Sequence, residues 1–353
     1  MTKPAIILDP HWRTTAELFS QGALSALHEE FDVIWGRDEP ISREAFDAAW
    51  PSASALISAT PTITERMLGA APKLRAVIEV SGAFPDTIDY GACAAKGVEV
   101  LSCAPGFRES VAEMGLAMAL AGARGLVAEH EAFRNGSEGW LQENPATDFS
   151  LHGARIGFVG FGQIARELTR LLAPFRPRIR AQDPWLAQED VDRFDVELCG
   201  LADLLKWSRC LFVTAVPTSR NKALISADKL ALLPDHALVV LLSRAHLVDF
   251  DALVAAAKAG RIRVAADVFP VEPLPQDHPV RILSDVILSP HRAAAVQGGR
   301  HLIGDMILRD LKAMWSGDSK RRLAQSDASR VELVAGVGGA ARAANIAADR
   351  GAS

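Results

Sequence analysis

The chain has 353 residues, 49% of them hydrophobic and 23% charged, a composition typical of soluble globular proteins and a length that suggests two domains. Its 38 basic and 43 acidic residues give a formal net charge of −5, which argues against nucleic acid or an acidic membrane as the main partner. Four cysteines, Cys93, Cys103, Cys199 and Cys210, have neither metal-ligand spacing nor the density of a disulfide scaffold. We therefore expect reduced thiols, a cytoplasmic location and no metal site.

The beginning of the chain predicts a strand rather than a signal peptide. A short apolar run at 5–9 is followed at once by Pro10 and His11, which predict an exit turn. No apolar stretch approaches the length of a membrane span, so we expect no membrane partner.

Strand-like and helix-like segments then alternate over residues 1–104. Strands are predicted at 5–9, 32–35, 54–59, 74–82 and 98–103, and helices at 15–29, 64–70 and 89–96. Apolar runs separated by helices predict a parallel sheet with helices on both faces. This first half of the chain is therefore predicted to be flavodoxin-like.

A second series follows a long predicted helix at 110–134 and a polar segment at 135–148. Its strands are predicted at 155–160, 178–183, 210–216, 238–243, 264–269 and 286–290, with a last helix at about 296–316. The predicted fold class is thus α/β, with two doubly wound parallel-sheet domains. One domain is predicted to comprise 1–104 plus 296–320 and the other 105–295, with 321–353 as a loosely ordered tail.

A glycine-rich turn follows the predicted strand at 155–160. Gly160 permits a tight turn, and Gly162 lets the backbone approach a pyrophosphate. The helix that begins at Gln163 and Ile164 offers unpaired N–H groups to the anion. The pattern is typical of a Rossmann dinucleotide site, although glycines alone also occur in ordinary strand-to-helix turns.

The acid that ends the next predicted strand supports the nucleotide interpretation. Asp183 lies about 20 residues after the glycine turn, where a carboxylate can accept hydrogen bonds from both ribose hydroxyls. It would also repel a 2′-phosphate, so we expect NAD rather than NADP. The alternative is a structural glycine turn with an unrelated surface aspartate.

Three further predicted strand ends carry the candidate catalytic side chains. Arg244, Glu272 and His291 each follow an apolar run by a few positions, and strand ends of a parallel sheet meet at one edge. A guanidinium can bind a carboxylate through two hydrogen bonds, and an imidazolium can protonate a developing alkoxide. A carboxylate can orient the imidazole and favour its protonated form. Taken singly, each residue could instead be a cap, a solvated acid or a structural histidine; together they indicate reduction of a 2-oxo acid.

At this point the chain resembles the D-isomer-specific 2-hydroxyacid dehydrogenases, from about residue 74 to 295. The resemblance rests on VGFGQIA, SRAHLVD around Arg244, DVFPVEP with Asp267 and Glu272, and PH at His291. It implies an NAD-dependent oxidoreductase that interconverts a small 2-oxo acid and its D-2-hydroxy acid, with glyoxylate, hydroxypyruvate or phosphoglycerate as candidate substrates. It also implies that residues 105–295 bind NAD, that the other domain binds substrate, and that the protein is a homodimer.

The resemblance also implies roles for individual residues. Asp267 would contact the nicotinamide carboxamide, and Pro217 would line the cofactor pocket. The loop SGAFPDTID resembles the loop whose backbone N–H groups bind the substrate carboxylate, here near Gly82 and Ala83. Arg292, which follows His291, either adds positive charge to the site or points to solvent.

Two other functions were compared with this one. A formate dehydrogenase carries glutamine where this chain has Glu272, so it is disfavoured. A non-catalytic NAD-binding module, similar to the corepressors of the same family, is the alternative of a different class. The presence of arginine, glutamate and histidine together argues against it, and turnover with NADH separates the two.

Overall fold

The computed structural model describes residues 3–327, 330–335 and 337. The described residues divide into two compact units. The first comprises the residues up to Phe107 and from Ala295 onward, and the second comprises Arg108–Ala294. These boundaries differ by a few residues from those predicted at 104/105 and 295/296.

The strands of the described residues belong to two sheets and are numbered in chain order. They are β1 (Ala5–Asp9), β2 (Asp32–Trp35), β3 (Ala55–Ser58), β4 (Ala76–Glu79), β5 (Glu99–Ser102), β6 (Arg155–Val159), β7 (Arg178–Gln182), β8 (Val196–Leu198), β9 (Cys210–Val213), β10 (Ala237–Leu241), β11 (Ile262–Ala266), β12 (Val286–Leu288) and β13 (Ala324–Gln325).

The α-helices of the described residues are numbered in the same way. They are α1 (Thr15–Leu18), α2 (Gln21–Glu30), α3 (Arg43–Ala49), α4 (Glu65–Ala70), α5 (Tyr90–Ala95), α6 (Arg108–Ala123), α7 (Leu126–Asn135), α8 (Gln163–Leu172), α9 (Leu201–Trp207), α10 (Ala227–Leu230), α11 (Phe250–Lys258), α12 (His301–Ser316) and α13 (Val331–Val334).

The first unit is built on a six-stranded sheet of order β13-β5-β4-β3-β1-β2. The five strands β1–β5 are parallel and follow the flavodoxin-like order. Successive side chains of a strand point to opposite faces, so Ile6 and Leu8 pack into one core while Ile7 packs into the other. Both faces of the sheet are therefore covered, as the apolar runs predicted.

The second unit is built on a seven-stranded parallel sheet of order β12-β11-β10-β9-β6-β7-β8. The order reverses at β6, which is the Rossmann arrangement and places a crevice at the carboxyl ends of β6 and β9. Phe158 of β6 and Phe212 of β9 stack in the core, with ring centroids 5.2 Å apart. The predicted fold class, two doubly wound α/β domains, is confirmed.

Several predicted elements differ in the structure. The helix predicted at 15–29 is two helices, because Ser20 caps α2 with its side chain. The helix predicted at 110–134 breaks at Gly125, whose φ is +60°. The tail predicted from 321 contains β13, whose residues Ala324 and Gln325 pair antiparallel with β5, so this part of the tail belongs to the sheet. Residues 328, 329, 336 and 338–353 of that predicted tail lie outside the described residues.

No single helix of the described residues is long and apolar enough to cross a membrane. One bent pair of helices, Ala104–Ala123 with Leu126–Asn135, has the length and composition of a span when the two are taken together.

Candidate active site

The glycine-rich turn of the second unit connects β6 to α8. Gly160 has φ +84°, in the left-handed region that favours glycine. A Cβ on Gly160 would lie 2.3 Å from Cα of Ala215, in the loop that follows β9. The Thr214 hydroxyl also donates to the Gly160 carbonyl at 2.7 Å. Glycine is therefore required at 160 both by backbone conformation and by the close approach of the next loop.

The beginning of α8 has the features of an anion site. Gly162 is its N-cap and provides no side-chain hydrogen bond, and a Cβ placed there would meet no atom within 4 Å. Gln163 and Ile164 are the first two residues of the helix, where backbone N–H groups have no intrahelical acceptor. These open donors at the positive end of a ten-residue helix fit the pyrophosphate of a dinucleotide.

Asp183 connects the end of β7 to the glycine turn. One carboxylate oxygen accepts the N–H of Phe161 at 2.9 Å, and the other accepts the N–H of Trp185 at 3.0 Å. The side chain is half-buried, and a carboxylate has further lone pairs with which to accept ribose hydroxyls. Pro217 is also half-buried and lies in the loop after β9, next to the buried Thr218.

Three candidate catalytic residues follow three neighbouring strands of this sheet. Arg244 follows β10, Glu272 follows β11 and His291 follows β12, and these strands pair in that order. Arg244 is half-buried, and its Nη1 donates to the carbonyl of Ser243 at 2.7 Å. All three side chains therefore belong to the same edge of the sheet as the glycine turn.

Glu272 and His291 form a hydrogen-bonded pair. Nδ1 of His291 lies 2.6 Å from Oε2 of Glu272, and because an ionised carboxylate only accepts, Nδ1 is the donor. The other oxygen of Glu272 accepts the N–H of Phe269 at 3.0 Å. The His291 and Glu272 side chains retain 17% and 25% of their exposure, so the pair is both oriented and accessible to a small molecule.

The carboxylate of Asp267 binds the loop that carries His291. Asp267 is 1% exposed and accepts the Ser289 hydroxyl at 2.6 Å and the N–H groups of Arg292 and Ala293 at 2.9 and 3.1 Å. His291 itself has φ +50°, a backbone conformation that non-glycine residues adopt at a cost. The resemblance assigns Asp267 to the cofactor, and in the structure its carboxylate also binds the loop that carries His291. Sequence reasoning missed this contact and Ser289, although an acid directly after a buried strand was a signal.

The predicted substrate loop lies at the carboxyl end of β4 in the first unit. Gly82 has φ +91°, and a Cβ there would lie 2.7 Å from the Phe107 ring. The N–H groups of Gly82 and Ala83 donate to Oε2 of Glu79 at 2.9 and 2.8 Å, and the N–H of Ser81 donates to Oε1. The two donors that the resemblance assigned to a substrate carboxylate are therefore engaged by a carboxylate of the chain itself.

Glu79, which sequence reasoning missed, is fully buried at the last position of β4. Burial raises its pKa above the ordinary value, while its hydrogen bonds with residues 81–83 oppose that shift. The Ser102 hydroxyl donates to the same carboxylate at 3.2 Å. The signal in the sequence was a single acid inside the apolar run at 74–82.

Comparison with known proteins places this geometry in a family. The model of the D-isomer specific 2-hydroxyacid dehydrogenase NAD-binding domain matches residues 116–293. A glyoxylate reductase of Aeropyrum pernix is 30% identical over 330 residues, which cover 91% of this chain and 98% of that protein. The seven-stranded unit is thus a nicotinamide-dinucleotide-binding domain, and the chain belongs to the D-isomer specific 2-hydroxyacid dehydrogenase family.

Two further relatives describe the similarity more closely. D-3-phosphoglycerate dehydrogenase of Mycobacterium leprae is 30% identical over 306 residues, which cover 86% of this chain and 56% of that protein. The chain therefore spans about half the length of this relative. The crystal structure of a phosphoglycerate oxidoreductase from Rhizobium etli is 36% identical, with a TM-score of 0.82, and the match covers 92% of this chain and 99% of that one.

Proposed function

We propose that the chain is an NAD-dependent oxidoreductase that interconverts a small 2-oxo acid and its D-2-hydroxy acid. The observation that carries this proposal is the Glu272–His291 hydrogen bond of 2.6 Å, at the same sheet edge as Arg244 and the glycine turn. An oriented imidazole, a guanidinium and a dinucleotide cradle are the groups that this reaction requires.

In the proposed reaction, a bound nicotinamide supplies hydride to the carbonyl carbon of the 2-oxo acid. The glycine turn at 160–162, the start of α8 and Asp183 would bind the cofactor. Arg244 binds the substrate carboxylate through a planar pair of donors. His291 donates a proton to the carbonyl oxygen as it gains negative charge, and accepts it back in the oxidation.

The contact with Glu272 determines which nitrogen of His291 exchanges the proton. Since Nδ1 donates to the carboxylate, proton exchange with substrate is assigned to Nε2. The carboxylate stabilises the protonated ring that reduction consumes, and it fixes the ring orientation for the next cycle. Asp267 contributes by accepting the backbone N–H groups of Arg292 and Ala293, which follow the histidine in the chain.

The cofactor preference in this proposal is NAD over NADP. In a Rossmann site the acid that ends the second strand binds the ribose hydroxyls, so the Asp183 carboxylate would repel the 2′-phosphate of NADP. Relatives named glyoxylate reductase and D-3-phosphoglycerate dehydrogenase support glyoxylate and 3-phosphohydroxypyruvate as the first substrates to test, and the family resemblance adds hydroxypyruvate. The non-catalytic alternative is not favoured by these relatives.

The test is oxidation of NADH by the purified protein with each of these 2-oxo acids. We expect turnover with at least one acid, and loss of about a thousandfold in kcat for His291→Gln. His152→Gln replaces an exposed histidine of the same unit and serves as the control, with unchanged turnover expected. Absence of turnover in the wild-type protein with all three acids, while NADH binds, would contradict the proposed activity.

We also propose that the protein is a homodimer that functions in the cytoplasm. The segment 120–141 exposes a concentration of large apolar side chains, which single chains in water seldom leave uncovered: Leu120, Leu126, Val127, Phe133, Trp140 and Leu141. Free thiols at the four cysteines agree with a reducing compartment. Light scattering tests the assembly: we expect a dimer for the wild type and a monomer for Phe133→Glu.

A further inference from the structure

Glu79 is the feature of the first unit that the proposed reaction does not use. It is a fully buried carboxylate in a strand whose other three residues are apolar. Its two oxygens accept the N–H groups of three consecutive residues, 81–83, which form the first turn of the loop after β4. A buried charge is costly unless it is well hydrogen-bonded, so these bonds and the turn that supplies them depend on one another.

A second buried side chain binds the backbone next to this turn, but as a hydrogen-bond donor rather than as an acceptor. Nε of Arg13 donates to the carbonyl of Val80 at 3.0 Å, and Arg13 is 5% exposed. Its guanidinium lies 4.4 Å from the Trp12 ring centroid and 5.4 Å from that of Phe107. The Phe107 ring also occupies the space that a side chain on Gly82 would need. Backbone carbonyl and N–H groups of residues 80–83 are thus bound by buried side chains.

We propose that Glu79 is a positioning residue for substrate binding, which fixes the conformation of the Gly82–Ala83 loop by binding its N–H groups. The inference rests on the proposed function and on the family resemblance, which assigns this loop to substrate binding. It follows that Glu79 acts on substrate binding through the shape of the loop that it holds.

Glu79→Gln separates this role from a general effect on folding. A glutamine has one acceptor oxygen, and its NH2 group faces an N–H donor, so at least one loop N–H loses its partner. We expect KM for the 2-oxo acid to rise by about tenfold, with KM for NADH unchanged within about twofold. Hydrogen exchange of a peptide covering residues 80–90 should accelerate, and this readout requires no activity.

Asp310→Asn is the matched control, because Asp310 is also a fully buried carboxylate of the first unit. It accepts the N–H groups of Arg322 and Leu323, far along the chain from the loop. We expect Asp310→Asn to lower the melting temperature without changing KM for the 2-oxo acid or exchange in residues 80–90. If Glu79→Gln does not fold, Glu79→Asp retains the charge but is one carbon shorter, and an intermediate rise in KM is expected.

Two results would overturn the positioning role. One is an unchanged KM together with unchanged exchange at 80–90 in a folded Glu79→Gln protein. The other is a lower KM, which would mean that Glu79 competes with the substrate for the loop N–H groups. If the wild-type protein oxidises no NADH with any 2-oxo acid, the proposed function fails instead, and the exchange experiment still tests the contact between Glu79 and its loop.

Discussion

Two loops of the molecule are each bound by a buried carboxylate at a strand end, and they differ in what the carboxylate leaves available. Asp267, after β11, reaches to the neighbouring loop after β12 and binds Ser289, Arg292 and Ala293. These contacts surround His291 but leave its ring to Glu272. Glu79, at the end of β4, instead binds the N–H groups of the loop that follows its own strand. The carboxylate of Asp267 therefore holds the loop so that the His291 ring stays available. The carboxylate of Glu79 instead binds the backbone N–H groups of its loop directly.

The largest expected effect is on catalysis, and it tests whether Asp267 holds the loop that carries His291. Asp267→Asn removes the charge that binds two backbone N–H groups beside His291 and leaves a mismatched NH2 group in a buried site. A displacement of about 1 Å at a catalytic group is sufficient to lower catalysis by about a hundredfold, so we expect a loss of that order in kcat/KM. Steady-state kinetics measure it, with Asp310→Asn as the control. Near-native kcat/KM would show that Ser289 and Glu272 orient the histidine without Asp267.

Arg244→Lys tests the side chain to which the proposed reaction assigns the substrate carboxylate. Arg244 follows β10 at the sheet edge that carries His291. Lysine keeps the charge but loses the planar pair of donors, and we expect kcat/KM to fall by about a hundredfold with NADH affinity unchanged. Retention of native kcat/KM would mean that the carboxylate is bound elsewhere, with Arg292 and Arg108 the next candidates.

Asp183 provides a third strand-end carboxylate, which is half-buried rather than fully buried. It binds the N–H groups of Phe161 and Trp185 and keeps some exposure toward a ligand. Asp183→Asn retains an acceptor oxygen and removes the charge, so we expect the ratio of kcat/KM for NADH over NADPH to fall by about tenfold. An unchanged ratio would mean that Asp183 supports the turn but does not select the cofactor.

The smallest expected effect concerns stability and pH. Because burial raises the pKa of Glu79 above its ordinary value of 4.5, the folded chain binds this proton more readily than the unfolded chain. The stability contribution of this group therefore decreases as pH rises from 4.5 through the raised pKa, by at most about 1.4 kcal/mol per pH unit. Glu79→Gln lacks this dependence. Urea unfolding of both proteins over that range should show the wild type losing stability relative to the variant; a constant difference would contradict the shift.

The sequence predicted most of the fold because short apolar runs and helical periodicity carry the information that specifies this architecture. The predicted bounds of β1 and β2 agree with the structure, since Pro10 follows the first run and Gly36 follows the second. β8 was missed because it has three residues, of which only Val196 is fully buried. β13 was missed because a two-residue strand at a sheet edge is specified by the contacts of the completed sheet.

The parts of the candidate site that lie at strand ends could be predicted from sequence motifs. The contacts that depend on loop conformation could not. The Glu272–His291 contact follows from strand order, which brings the ends of β11 and β12 together. The Glu79 contacts arise because a tight turn aims three N–H groups back at the strand that precedes it. Spacing along the chain does not reveal such a turn, so the contacts of Glu79 were not predicted.

The measurement that tests the central claim most directly is a double-mutant cycle on Glu272 and His291. The claim is that Glu272 acts through the histidine ring that it contacts at 2.6 Å. We expect Glu272→Gln to lower kcat by about a hundredfold in the wild-type background. In the His291→Gln background it should have almost no further effect, because the group it supports is already absent. If the two losses multiply instead, Glu272 and His291 act independently, and the proposed acid–base pair is contradicted.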